Sequence, residues 1–509
     1  MNRKKLFFLL YILLISLCLY GCNKEHLQKD DGATVTPVTT ATSPAVLEDF
    51  SHIEKHLVWY HDDMIMDKMD MGVLNAFNRR LLERGYDFVV DFVTTPTLTE
   101  GQYLDYQQNL RTYKEQGKQI DLIFTGWAVQ GGKTYDDAVR DGLLLPLDDY
   151  FTESEDGRRL YEAFSEQIWE MMWRDGKVYG VCENGWHGKY YSATLNRDIL
   201  KKYGVEAPIE FSFEGYLDTL YAVYEKAKDK GDALPVVYMT ADAVYSYLGY
   251  YKVGDFFVKQ TEDKKLSFVN PYEDEEVREV FKLLEKYREV FGDCDSYEAY
   301  LKAEGTGTAL GEFCATLMKR SCRNRNTSYS AYTYEPQQMY YSMPMHNIVH
   351  GVASWATYPE EAKTLLMLIS TDEEFINLLY YGVEGVNYRL VDGRAVETEE
   401  KLGGMGDEIR VNERLVYPRL AEPSDKKEVL QKHQQEVVFL PLAAEELSKE
   451  PLSEEEKKVV MLFRKAEGLW LGEYENAEAV AERICTELEK VNVEEVLTKR
   501  TEKIYPKEE

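Results

Sequence analysis

The side chains best suited to holding a ligand are aromatic rings and short polar groups at the ends of expected strands. Leu57-Val58-Trp59-Tyr60 reads as a strand ending in His61 and Asp62, and Ile120-Asp121-Leu122-Ile123-Phe124 as a buried strand followed by Thr125, Gly126 and Trp127. Trp186 and His187 stand between Gly185 and Gly188, which let backbone approach a ligand closely. Trp355 precedes a helix that Pro359 can start, and Glu384 and Tyr388 follow Gly382, which can end one. Rings of this kind stack on flat apolar faces, while carboxylates and amides take up hydroxyl groups. Each also has a packing alternative. Trp127, Trp186 and His187 either touch a ligand or fill a core, Trp355 plugs a packed face, and Glu384 bonds backbone groups. Trp169 and Trp173 read as core or surface caps.

Covalent chemistry finds less support. Hydrolysis of glycosidic bonds needs two opposed carboxylates, but among 90 Asp and Glu residues such a pair is always findable and none sits in a catalytic motif. Gly-x-Ser-x-Gly and His-Glu-x-x-His are absent. Cys182, Cys294, Cys314, Cys322 and Cys485 are odd in number without a Cys-x-x-Cys pair, so no disulfide framework or zinc site is expected. Cys314 and Cys322 either bridge locally or stay free. His346 and His350 lie four apart, but Pro344 and strand-like surroundings argue against a helical metal pair. No catalytic residue, metal or cofactor is expected.

The net charge of −30 repels nucleic acid and anionic lipid headgroups. Tyr outnumbers Phe 38 to 20, which suits half-wet binding surfaces or wet packing interfaces. Residues 1–21 read as a secretory signal: Arg3, Lys4 and Lys5, then an apolar run from Leu6 to Ile15 that is short of the roughly 20 residues a span needs. Cys22 directly after Gly21 resembles the lipobox of bacterial lipoproteins, which implies a diacylated thiol at the mature N-terminus, held at the extracytoplasmic face of the cell membrane. Residues 22–50 read as a disordered tether, with a Thr/Pro/Ser/Ala-rich stretch over 31–46.

The body alternates strands with amphipathic helices. Helices are expected from about Gly72 to Arg84, Gly101 to Glu115, Arg197 to Tyr203 and Asp274 to Phe291, a strand from Tyr86 to Val93, and another at Lys177 to Val181. Thr371 with Glu374 reads as a capping box, and about Ala421 to Lys499 as mostly charged helix. The alternation implies an α/β fold with a parallel sheet covered on both faces and ligands beyond the strands' carboxyl ends.

Two blocks carry a family resemblance. KVYGVCENGWHGKYYSATLNRDILKKYG over 177–204 is similar to the first lobe crossing of ABC-transporter extracellular solute-binding proteins, family 1. GVASWATYPEEAKTLLMLISTDEEFINLLYYGVEGVNY over 351–388 resembles a late block of Gram-positive lipoproteins in that family, ending in Tyr381-Gly382-Val383-Glu384-Gly385 and Tyr388. The resemblance implies a two-lobed type II periplasmic-binding fold, mixed sheets flanked by helices, with lobe 1 at 51–182 and 347–384 and lobe 2 at 187–343 and 392–505. The implied crossings lie near 182–189, 340–346 and 384–390. It further implies a monomeric, non-enzymatic binder that passes a sugar or oligosaccharide to an ABC permease. Relatives that carry a tryptophan near Gly311-Glu312-Phe313 differ from this chain. An exported carbohydrate-active enzyme, or a peptide binder or sensor partner with the same fold, are the alternatives.

Overall fold

The computed structural model describes residues 47–505 apart from 64–68, 96–99, 127–132, 186, 233–235, 262–264, 292–312, 322–330, 335–339, 343–345, 400–402, 410–411, 421 and 423. The packed body starts slightly before residue 51: Phe50 is buried and Glu48 pairs with Arg79 at 2.9 Å.

The first sheet grows from Lys55–Asp62, whose Leu57, Trp59 and Tyr60 are fully buried, as a strand covered on both faces requires. It pairs in parallel with Phe88–Thr95 and with Leu122–Phe124. Val349–Val352 then runs antiparallel to Leu122–Phe124 and to Val181–Cys182, so the sheet is mixed. Its covering helix Met71–Glu83 starts where Asp70 accepts from the Gly72 N–H and buries Val73, Leu74, Phe77 and Leu81.

The second sheet has the order Val437–Phe439, Tyr340–Ser342, Lys189–Asn196, Phe313–Ser321, Val236–Met239, with Ala331–Tyr334 also against Lys189–Asn196. A smaller antiparallel sheet of Tyr250–Val253, Phe256–Gln260 and Leu266–Phe268 packs into the same core. At its centre Trp470 meets the Phe281 ring edge-on at 4.7 Å. The helix Arg197–Tyr203 forms between the Asn196 cap and left-handed Gly204, where the sequence places it.

Each sheet has its own hydrophobic core. The fold is therefore a two-lobed α/β architecture of mixed sheets flanked by helices. The chain passes from the first sheet to the second between Val181–Cys182 and Lys189–Asn196, and back between Tyr340–Ser342 and Val349–Val352. The last passage corrects the expected third crossing near 384–390. Tyr388–Val391 and Arg394–Glu397 form a hairpin, and Ala395, Met405, Ile409 and Val416 pack in the first core. The chain crosses only afterwards, before Val437–Phe439 joins the second sheet.

Three local expectations also shift. The helix starting near Asp274 ends at Lys286, and a 3-10 turn at Arg288–Val290 completes it. Asp372, not Thr371, caps the helix Glu373–Tyr381: its carboxylate accepts from the Glu374 and Phe375 N–H groups, while the Thr371 hydroxyl donates back to the Met367 carbonyl. The charged C-terminal region is interrupted by the strand Val437–Phe439.

Candidate functional site

The carboxyl end of Lys55–Asp62 places His61 and Asp62 beside each other, both fully buried. The His61 ring lies flat on Phe124 at 4.1 Å, and its Nδ1 accepts the Asp62 backbone N–H at 2.9 Å. His350, at the facing end of Val349–Val352, lies 5.8 Å from His61 and 5.0 Å from Phe124. Burial, reinforced by the His61 ring, pushes the His350 imidazole well below its ordinary value, so it is neutral. Trp59 Nε1, His61 Nε2 and His350 Nε2 are buried without hydrogen-bond partners. The sheet edge thus ends in an aromatic and imidazole layer.

His187 belongs to the first crossing and is also buried. Its ring meets Phe439 edge-on at 5.7 Å, and its carbonyl accepts from His433 Nε2 at 2.8 Å. Beside it, the Asn184 side chain donates to the Ala163 carbonyl at 3.1 Å and accepts from Gln434 Nε2 at 2.6 Å, and the Asn184 carbonyl accepts from the Glu413 N–H at 3.0 Å. Gln434 also reaches the Gly185 carbonyl at 3.2 Å. The first crossing is therefore stitched to the helix Lys426–Glu436, which leads into the last passage between lobes. A Cβ at Gly185 would stand 2.7 Å from the Glu413 carboxylate, so glycine keeps this seam narrow. Asn184, His433 and Gln434 received no role from the sequence. Only Asn184 lay inside a block with a family signature.

Trp355 lies elsewhere. Its indole N–H donates to the Lys118 carbonyl at 2.9 Å, at the amino end of the parallel strands and away from His61 and Asp62. It packs against the first core, the alternative its position allowed.

The block around Glu384 is a helix-ending turn. Gly382 takes φ +98°, and the Asn387 side chain accepts the Val383 N–H at 2.8 Å. A Cβ at Gly382 would stand 2.6 Å from that side-chain oxygen. Glu384 is exposed at the tip, while Tyr388 is buried 5.3 Å from the Tyr381 ring. Gly382→Ala should cost about 2 kcal/mol, from left-handed strain and the lost Asn387 bond, read as a lower denaturant midpoint. An unchanged midpoint would show the turn to be dispensable.

Trp127, Trp186, Cys22 and Cys322 lie outside the described residues. Among the described residues no group of three or more His, Cys, Asp or Glu could hold a metal, and no helix is long and apolar enough to cross a membrane. Cys182 and Cys485 are free buried thiols.

Residues 89–303 match the family model described as bacterial extracellular solute-binding protein. A carbohydrate ABC transporter substrate-binding protein of Streptococcus pneumoniae serotype 4 (strain ATCC BAA-334 / TIGR4) is 23% identical over 310 residues, which is 55% of this chain and 60% of that relative's length. In fold, the chain is similar to the N-glycan transport solute-binding protein of Streptococcus pneumoniae, with TM-score 0.55 and 17% identity over 89% of this chain and 100% of the other. It is also similar to an extracellular solute-binding protein of Bifidobacterium longum subsp. infantis, with TM-score 0.53 and 11% identity over 90% and 99%.

Proposed function

We propose that this chain is a bacterial extracellular solute-binding protein, the family whose model matches residues 89–303, and that it captures a sugar or oligosaccharide between its two lobes and hands it to an ABC permease. The observation that carries the reading is the pair of separately cored α/β lobes, whose first and last connecting segments are bonded at Asn184, Gly185 and Gln434. Lobes joined by such segments close by hinge motion, and a ligand favours the closed form by touching both of them. The carbohydrate class is supported by the pneumococcal relative's description.

Binding falls to the residues beyond the first sheet's carboxyl edge and along the first crossing: Trp127 and Trp186 stack on the sugar faces, and His61, Asp62 and His187 hold the loops that present them. Glu384 and Tyr388 shape the turn after Gly382, and Trp355 supports the opposite edge. Cys22 anchors the chain by lipid at the extracytoplasmic face of the membrane, through the tether, as a monomer.

A glycan array probed with protein lacking residues 1–22 tests this. Saturable binding to a set of related glycans is expected, and Trp186→Ala should weaken it about tenfold or more through lost stacking. Turnover of a bound glycan would replace the reading with an enzyme, and a blank array beside binding to peptides would move the cargo to that class.

A further inference from the structure

His346 lies in the second crossing, and its ring is held between carboxylates of the two lobes. Nδ1 is 2.7 Å from Asp136 Oδ2, on the helix Thr134–Arg140, whose Tyr135 and Ala138 belong to the first core. Nε2 meets a carboxylate oxygen of Glu445, on the helix Leu442–Lys449, whose Ala444 and Leu447 belong to the second core. The ring is nine-tenths buried, as is Glu445. The charged groups around it are few. Arg174 donates to Asp136 at 2.7 Å and lies 3.3 Å from Nδ1. Lys133 donates to Glu445 at 2.7 Å and lies 3.4 Å from Nε2, and Lys449 also pairs with Glu445. The backbone is fixed as well: the His346 carbonyl accepts from the Tyr135 N–H at 2.7 Å, and the Asn347 side chain from the Thr134 N–H at 2.8 Å.

A protonated imidazole has two N–H donors and serves both carboxylates. A neutral one has a single N–H, so one carboxylate then faces a lone pair and keeps only its lysine or arginine partners. We propose that His346 is a proton-dependent latch between the lobes, which as a cation joins Asp136 to Glu445 and holds the arrangement seen here, and as a neutral ring drops one of those two links and leaves the Lys133–Glu445 pair as the remaining charged tie. Burial works against the charged ring, but the hydrogen bonds and charges of Asp136 and Glu445 outweigh it and hold His346 above its ordinary value. The sign follows. A group whose value is raised in one arrangement supports that arrangement fully below its ordinary value and loses the effect as pH rises through the raised one. The latch therefore weakens with alkalinity, and it biases the same closure on which the proposed cargo capture depends.

Small-angle scattering of the ligand-free protein lacking residues 1–22, scanned from roughly pH 6 to pH 9, tests the latch without reference to cargo. The curve should match this structure at the acid end and depart from it as pH rises, with the ratio of latched to released molecules changing about tenfold for each unit by which the latch raises His346. His346→Gln should make the curve independent of pH, and His346→Lys should keep the acid-end curve throughout. Glu445→Gln, which keeps the size of that buried side chain, should shrink the response if the His346 variants fold poorly. A wild-type curve flat over that range, or a Gln variant that titrates like wild type, overturns the latch and leaves the carbohydrate reading untouched. A blank glycan array beside a normal pH response does the reverse.

Discussion

Asp121→Ala is expected to lower the stability of the first lobe by about 3–5 kcal/mol. The carboxylate is fully buried within an apolar run, and both of its oxygens are used. Oδ2 accepts from the Val58 N–H at 2.9 Å and from Gln119 Nε2 at 2.7 Å. Oδ1 accepts from the Thr357 and Tyr358 N–H groups at 2.8 and 2.9 Å, just ahead of the helix Pro359–Thr371, where a negative charge also favours the helix dipole. One side chain thus ties the central parallel strand to the helix that follows the second crossing. Alanine would take this acceptor from three part-buried backbone donors, each bond worth about 1–3 kcal/mol. Hydrogen exchange resolved along the chain should show protection lost in Leu122–Phe124 and Val349–Val352 while Ala477–Lys490 in the second core keeps its own. Equal protection in wild type and variant would show that the carboxylate is replaceable by water.

Arg500→Ala should cost the second lobe about 3–5 kcal/mol in the same way. Arg500 is 2% exposed. Its guanidinium pairs with Glu456, donates to the Leu447 carbonyl at 2.9 Å and lies 4.2 Å from the Phe256 ring centroid. It therefore fastens three C-terminal helices to the small antiparallel sheet. Burial opposes the Glu456 charge, but the Ser453 N–H and Arg500 outweigh it and hold the carboxyl below its ordinary value of 4.5. A depressed acid stabilises the fold above its ordinary value, and that contribution is lost as pH falls through its lowered one. Wild type should lose second-lobe stability in acid more steeply than Arg500→Ala, whose Glu456 keeps only its Ser453 partner. Parallel acid profiles for the two proteins would contradict the assignment.

What the sequence revealed was local. The Pro359 helix start, the Asn196 cap with Gly204 closing the same helix, and the buried strand at Leu57–Tyr60 follow from short-range rules, and the structure has all of them. Asp372 displaced Thr371 as a cap because adjacent oxygen acceptors compete for the same N–H groups, and spacing alone does not rank them. The third crossing was misplaced because Tyr381 to Tyr388 is a turn packed into one lobe, and the pairing of Val437–Phe439 with Tyr340–Ser342 depends on contacts distant in sequence. The tyrosine excess proved to be packing as much as surface: Tyr60, Tyr135 and Tyr381 are buried, and each hydroxyl donates to a carbonyl. Asp136 and Glu445 received no role from the sequence and His346 was weighed only as a metal ligand with His350, because only the topology brings the three together.

The central claim is that two hinged lobes close on a carbohydrate. Small-angle scattering of the protein lacking residues 1–22, titrated with glycans that it retains on an array, tests that claim most directly. A radius of gyration that falls saturably with glycan, at fixed pH and with no glycan consumed, is the predicted result. An unchanged radius at saturating glycan, or disappearance of the glycan itself, would contradict it.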